Sequence, residues 1–298
     1  ISFELLRSDG QRFVCSKEQN KELFKATIGG LGLTGIILWV EFKAVRIEGP
    51  VIDAEFIKFG TFGEFFEINE ESGRDFDFTV AWVNTTKFGH GIYSRGNFAN
   101  QENQKAYIPN HNQKTFPFDY DFINPLTVKI FNFLYEGKQL SKFSKNLISF
   151  EPFFYPLDAV NNWNLAYGKR GFLQYQFVIP FDDCIKNLEE IFKIITKSGL
   201  SSFLTVLKTF GDIKSQGMLS FPSPGLTLAI DFKMTGSNVL KILERTDDIV
   251  RNAGGILYPA KDARMRGEDF RKFYPQYIEF QKYIDPRFNS GFWKRVMK

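Results

Sequence analysis

The sequence predicts an α+β fold in which an antiparallel sheet carries helices on one face. Three observations predict it. The stretch from Gly171 to Tyr258 reads as a β-α-β-β-α-β succession. The segment DFDFTVAWV at positions 75–83 alternates strictly, as a half-buried strand does. The composition, 43% hydrophobic and 24% charged over 298 residues, is enough to bury a full core and to hold two domains.

The chain opens on a hairpin, strand Ser2–Leu6 and strand Arg12–Cys15, turned at Ser8-Asp9-Gly10. A helix over Lys17–Ala26 follows. Next comes ATIGGLGLTGIILWVEF, in which Gly30, Gly32 and Gly35 have the spacing of a dinucleotide fingerprint. That fingerprint needs a strand before the glycines and a helix after them, so that the helix N-terminus meets the pyrophosphate. Here a helix precedes, and a β-branched and aromatic strand, Ile36–Ile47, follows. Four glycines within seven residues instead form a tight helix-to-strand turn or let the backbone lie flat against a large ligand, and the residues leave both readings open.

In the alternating segment Phe76, Phe78, Val80 and Trp82 share a face, and Ile92–Asn97 is expected beside it. Positions 100–150, polar and rich in Asn and Lys, are expected to form long loops with a short helix near Leu126–Leu134. From Gly171 the order is strand Gly171–Pro180, helix Asp182–Lys197 capped by Asp182, strands Ser202–Phe210 and Gly225–Phe232, helix Ser237–Asn252 and strand Ile256–Tyr258.

Strand parity points to a site. In FLQYQFVI the set Leu173, Tyr175, Phe177 and Ile179 is core, which leaves Gln174 and Gln176 on the other face, roughly 7 Å apart. In GLTLAIDF the buried set is Leu226, Leu228, Ile230 and Phe232, with Thr227, Ala229 and Asp231 opposite. Lys208 shares a face with Leu204, Val206 and Phe210. A lysine on an apolar face snorkels to water or meets an anion. With two amides and a hydroxyl on neighbouring strands, a polar pocket for a hydroxylated, anionic ligand is the better single explanation.

Composition excludes other classes. The net charge of +4 is interleaved with acidic residues and forms no basic run, which argues against a nucleic-acid binder and is compatible with a sugar phosphate or an acidic lipid surface. Cys15 and Cys184 have no metal-ligand spacing, no metal site is expected, and a reducing, cytoplasmic compartment is the default. With His90 and His111 as its two histidines, the chain has little material for a Ser-His-Asp triad. The apolar stretch 36–47 is broken by Glu41, Lys43 and Arg46, so membrane contact is expected to be peripheral, at the inner membrane. The abundance of Phe, 35 residues, reads as a coding bias and not as a cofactor box. Because Ile1 lies inside a strand with neither an initiator Met nor a signal peptide, the N-terminus is taken as an interruption.

The strings ATIGGLGLTGII, SRGNFA, PLDAVNNWNLAYGKRGFLQYQFVIPF, FLTVLKTFG, LSFPSPGLTLAIDF and GGILYPAKDARM, followed by FYPQYIEF and DPRF, resemble in order and spacing the decaprenylphosphoryl-β-D-ribose 2-oxidases. The resemblance runs over nearly the whole chain. It implies the C-terminal part of a PCMH-type FAD-binding domain at 1–50, an antiparallel-sheet substrate domain at 51–255, and a segment at 256–298 that returns to the FAD side. It implies FAD as cofactor and oxidation of the 2-hydroxyl of a polyprenyl-phosphate-linked ribofuranose to a ketone, with a separate NAD(P)H-dependent short-chain reductase completing epimerisation to arabinose. Gly29, Gly30, Gly32, Thr34, Gly35, Ile36, Ile37 and Tyr258 would lie along the FAD. Lys261 would sit by the reactive edge of the ring. Trp82, Gln174, Gln176, Lys208, Phe210, Thr227 and Ala229 would line the sugar-phosphate pocket. Where mycobacterial members carry Asn and Cys this chain has Thr227 and Ala229, a less polar wall. Two other readings stand beside this one: an aldonolactone or sugar-alcohol oxidase of the same fold, and a non-catalytic sugar- or lipid-binding remnant. The 298-residue piece alone is expected to hold FAD poorly and to be inactive.

Overall fold

The computed structural model describes residues 1–100, 114–115, 122–261 and 264–298. Its strands are β1 Ser2–Leu6, β2 Arg12–Ser16, β3 Ile36–Glu41, β4 Val51–Phe59, β5 Phe78–Val83, β6 Gly91–Phe98, β7 Lys114–Thr115, β8 Phe143–Ser149, β9 Val160–Asn161, β10 Phe172–Ile179, β11 Thr205–Phe210, β12 Gly225–Lys233 and β13 Ile256–Leu257. The helices used below are α1 Lys21–Thr27, α2 Phe62–Asp75, α3 Pro125–Lys138, α4 Phe150–Phe154, α5 Cys184–Lys197 and α6 Ser237–Asn252.

Helices and a large antiparallel sheet give the α+β class. Eight strands form one sheet in the order β13-β10-β12-β11-β5-β6-β4-β8, every pair antiparallel. The order contains a duplication. β10, β11, β12 and β13 lie in the spatial order fourth, first, third, second, and β4, β5, β6 and β8 repeat that order in mirror sequence, so the halves meet through their second strands, β11 and β5. The β-α-β-β-α-β succession read in the second half is therefore matched by a first one with α2 and α3 in the helical places.

Helices α2, α5 and α6 cover one face. Phe62 and Phe65, Leu188, Ile191 and Phe192, and Val239, Leu243 and Val250 share a core with Ala81, Val83, Tyr93, Phe177, Leu228 and Phe232. The expectation of helices on a single face is corrected for the first half: α3 and α4 pack on the other side. Tyr135 of α3 meets Trp82 and Phe154 of α4 meets Phe78, both on the β5 face that points away from the core.

A smaller sheet, β2-β1-β3, has its own core of Phe3, Leu5, Cys15 and Phe24. The C-terminal segment closes on it. Arg7 Nη1 donates to the Tyr283 carbonyl at 2.6 Å, the Ser8 amide donates to Asp285 Oδ2 at 2.7 Å, and the Asp285 amide donates to the Leu33 carbonyl at 2.8 Å.

Several boundaries differ from expectation for local reasons. Helix α1 starts at Lys21, because Ser16 Oγ accepts the amides of Glu18 and Gln19 in a turn. Strand β3 stops at Glu41, where its pairing with β1 runs out. Asp75 closes α2, and the next strand starts only at Phe78. Asp182 is not the cap of α5; Asp183 holds that position in a left-handed conformation without a side-chain cap bond. Between 122 and 150 there is more order than expected, the four-turn helix α3 and the edge strand β8. His111 and Asp262 lie outside the described residues.

Candidate active site on the uncovered sheet face

Antiparallel register puts directly opposed residues on the same face. Trp82 opposes Val206, Val206 opposes Ala229, and Ala229 opposes Gln176. The Tyr258 amide then donates to the Gln176 carbonyl at 2.9 Å. One row thus crosses four strands and ends on the residue that follows β13, roughly 19 Å in all, and carries four of the predicted site residues. In the row above it, Lys208 opposes Thr227; in the row below, Gln174 opposes Asp231. The core-facing partners on these strands, Leu207, Leu228, Ile230 and Phe177, are fully buried and fix which way each row points.

Aromatic rings bound the polar strip at both ends. At one end Trp82, Tyr135, Phe131, Phe203, Tyr167 and Phe172 form an unbroken chain of ring contacts with centroids 4.5 to 5.7 Å apart. At the other, Phe221 stacks on Tyr258 at 4.5 Å and meets Phe210 edge-on at 5.9 Å.

Hydrogen bonding fixes the orientation of both amides. Gln174 Nε2 donates to Asp231 Oδ1 at 2.7 Å. Thr227 Oγ1 donates to the Phe177 carbonyl at 2.9 Å, so its oxygen accepts from Gln176 Nε2 at 3.3 Å. Each glutamine therefore keeps its carbonyl oxygen and one amide hydrogen uncommitted, and the strip offers acceptors, with a donor beside each, to ligand hydroxyls.

Asp231 is buried, with its second oxygen, Oδ2, lacking a hydrogen-bond partner. Burial raises its carboxyl to about 6, and Gln174 and the charge of Lys261 oppose the rise. The Tyr167 hydroxyl is also buried without a partner, and burial together with the Asp231 charge pushes it well up.

Lys261 stands exposed over a small cleft lined by Gln174, Gln176, Tyr258 and Arg264. The turn is anchored from α6 through Arg264. Arg264 is clamped to buried Asp247 by two bonds, at 2.5 and 2.8 Å, and the Tyr175 hydroxyl donates to the same carboxylate at 2.9 Å. That anchor in α6 sets where Lys261 emerges.

The glycine turn is packed, not free. A side chain at Gly30 would strike the Ala26 carbonyl at 2.2 Å, and one at Gly35 would meet the Leu6 carbonyl at 2.6 Å. Thr34 is also committed: its hydroxyl bonds Thr27 at 3.0 Å and its carbonyl accepts from Arg7 at 2.8 Å. Gly32 differs. Its φ is +71° and a side chain there would meet nothing within 4 Å, so the backbone at Gly32 presents an open, flat surface. Ile36 and Ile37 are exposed beside it, 53% and 46%. Gly32 could therefore lie against a flat ligand, with one of Ile36 and Ile37 beside it, since neighbours on β3 face opposite sides, whereas Gly30, Thr34 and Gly35 shape the turn. Gly29 packs on the backbone of Leu219 and Ser220, one residue from Phe221. The turn and the Tyr258 stack therefore share the loop around Leu219.

No family model matches the chain. Over 308 aligned residues, 96% of the chain, it is 32% identical to the decaprenylphosphoryl-β-D-ribose oxidase of Mycolicibacterium smegmatis (strain ATCC 700084 / mc(2)155). The chain belongs to this oxidase family. It spans 65% of the length of that mycobacterial oxidase. An uncharacterized protein in mprA 5′ region of Streptomyces coelicolor is 29% identical over 106 residues, 35% of the chain and 29% of that protein.

In this oxidase-family chain the sheet brings Trp82, Gln174, Gln176, Lys208, Thr227, Ala229 and Tyr258 onto one face, with Phe210 and Lys261 at its rim. The reading by residue type passed over Asp231 as a site residue, although its parity placed it on that face, and it passed over Tyr167, Phe221 and Asp247. The last three reach the site through tertiary contacts that leave no local periodicity.

Proposed function

We propose that the protein is an FAD-dependent oxidoreductase that oxidises a sugar hydroxyl to a ketone, its substrate the 2-hydroxyl of a ribofuranose carried on a polyprenyl phosphate. The observation that carries the reading is the shared sheet face on which Gln174, Gln176, Thr227 and Lys208 stand between aromatic walls, with the nitrogen of each glutamine held by a neighbouring strand. An acceptor-lined strip between aromatic walls suits a polyhydroxylated ring, and Lys208 at its upper edge suits the phosphate. Membership of a ribose oxidase family supports the same class.

Oxidation removes a hydride from the carbinol carbon and a proton from its hydroxyl. When bound, FAD would accept the hydride, and the proton released from the hydroxyl would pass to solvent. Gln174 and Gln176 hold the sugar hydroxyls, the aromatic walls exclude water, and Lys261 places a fixed positive charge where negative charge develops. Residues 1–50 and 256–298 form the cofactor side and 51–255 the substrate side; an NAD(P)H-dependent short-chain reductase takes the ketone product onward.

The test is flavin absorbance near ~450 nm retained by the full-length protein through gel filtration, followed by anaerobic addition of a short-prenyl ribofuranosyl phosphate. Bleaching of the bound flavin is expected. Bleaching by an aldonolactone alone would move the substrate class, and absence of flavin from the full-length protein would remove the enzyme reading.

A further inference from the structure

Helix α3 occupies in the first half of the sheet the place in sequence that α6 occupies in the second, yet its packing is reversed. Helix α6 turns Val239, Leu243 and Val250 into the core. In α3, Val128 and Asn132 are the buried residues, and Leu126, Ile130, Phe133 and Leu134 stand 67%, 50%, 74% and 62% exposed. Their spacing, i, i+4, i+7 and i+8, is one continuous stripe along the helix. A helix that leaves its apolar stripe in water has an occupant for it.

The charges beside the stripe say which. A cleft of about 400 Å³ between α3 and the ends of β4 and β5 is lined by Lys58, Lys87 and Lys129, with Glu136 as its acidic member. Glu136 is already engaged, accepting from Asn84 Nδ2 at 2.9 Å and lying 3.4 Å from His90 Nδ1. Lys138 adds a further exposed cation at the C-terminal end of the helix. Apolar side chains flanked by lysines are what an anionic bilayer surface receives: the stripe enters the acyl boundary while the ammonium groups meet phosphate headgroups. With 14 residues α3 is too short to cross a membrane, and among the described residues no helix is long and apolar enough to do so.

We infer that α3 and the Lys58-Lys87-Lys129 cleft form a docking surface for an anionic lipid bilayer. The position is useful to the reaction, because Tyr135 and Phe131, on the inner side of the same helix, belong to the aromatic wall of the candidate active site. The inference deepens the proposed function by naming where a lipid-linked substrate would be met, and it stands on the geometry of α3 independently of the redox chemistry.

The test is co-sedimentation of the full-length protein with vesicles of phosphatidylcholine alone or containing phosphatidylglycerol, for wild type, Phe133→Ser/Leu134→Ser and Lys87→Glu/Lys129→Glu. Wild type should pellet with the anionic vesicles and much less with the neutral ones. The apolar pair should weaken binding about tenfold or more, and the lysine pair by about fivefold or more for each charge, an effect that high salt reproduces in wild type. Both variants should reduce the bound flavin at the wild-type rate with a short-prenyl, water-soluble substrate. Wild type that stays in the supernatant, as it would if the stripe docks a protein instead, overturns the inference even when the flavin test succeeds. Binding that neither variant weakens assigns the bilayer contact to another surface and overturns it equally.

Discussion

Asp231 holds Gln174 by its carboxamide nitrogen, Nε2 to Oδ1 at 2.7 Å, across the β10–β12 pair. The carboxylate can only accept, so the bond decides that Gln174 shows the site its oxygen. The arrangement has a cost, because the carboxyl is buried with one oxygen unpaired.

That cost is readable as a pH dependence. The folded carboxyl titrates near about 6, against 3.8 for the unfolded chain, so the folded state binds the extra proton between those values and stability falls as pH rises through the window. Asp231→Asn keeps an acceptor for Gln174 and removes the buried charge. It should raise stability by about 3 kcal/mol at most at pH 8, with the gain shrinking toward zero at pH 4. Urea midpoints across that range decide, and a gain that grows at low pH would contradict the assignment.

Lys208 sits in the row of Thr227 and is exposed. As the phosphate contact it should act in binding and not in chemistry. Lys208→Met in the full-length protein should raise KM by about 10- to 100-fold, the worth of a charge-assisted bond, with kcat nearly unchanged. A collapse of kcat at constant KM would place Lys208 at the reacting centre instead.

Lys261→Ala should fold and retain flavin, yet lose about 10²- to 10³-fold in the rate at which substrate reduces it. Anaerobic stopped-flow bleaching measures that step. Reduction at the wild-type rate would return Lys261 to an ordinary surface lysine.

Breaking the largely buried Arg264–Asp247 clamp should damage the fold severely. Arg264→Leu leaves Asp247 fully buried without its partner, which costs about 3–5 kcal/mol. Thermal unfolding of this variant beside Lys129→Ala, expected within about 0.5 kcal/mol of wild type, provides the comparison.

Gly32 and Gly35, three positions apart, should respond differently. Gly35→Ala brings a methyl group against the Leu6 carbonyl and should destabilise the protein, whereas Gly32→Ala meets open space and should cost only about 1 kcal/mol for its left-handed backbone. If the shelf at Gly32 receives the flavin ring, Gly32→Ala should lower flavin retention out of proportion to that small loss. Full retention would place the ring elsewhere.

Much of the site was legible because β10 and β12 are long and alternate cleanly, so parity alone put Gln174, Gln176, Thr227 and Ala229 on one face. The end of α6 was legible because Gly254 and Gly255 stop it. Helix α2 was not seen, since Gly63 and Gly73 weaken its propensity. Its Thr61-Phe62-Gly63-Glu64 start is nevertheless a capping signal: Thr61 Oγ1 accepts the Glu64 amide at 3.1 Å. The eight-strand order escaped for a different reason. Joining β11 to β5 pairs Val206 with Trp82, a relationship set by burial on both halves at once and absent from either segment's pattern.

The C-terminal clasp on the small sheet orders events in time. Leu33 is held by the amide of Asp285, and Arg7 by the carbonyl of Tyr283. A ribosome adds roughly 5–20 residues per second, so the glycine turn waits on the order of tens of seconds before its last fastener emerges. Until then β1, β2 and β3 can pair but the turn cannot take its final shape. A nascent chain stalled ahead of residue 283 would thus display a sheet whose glycine turn still lacks its last fastener.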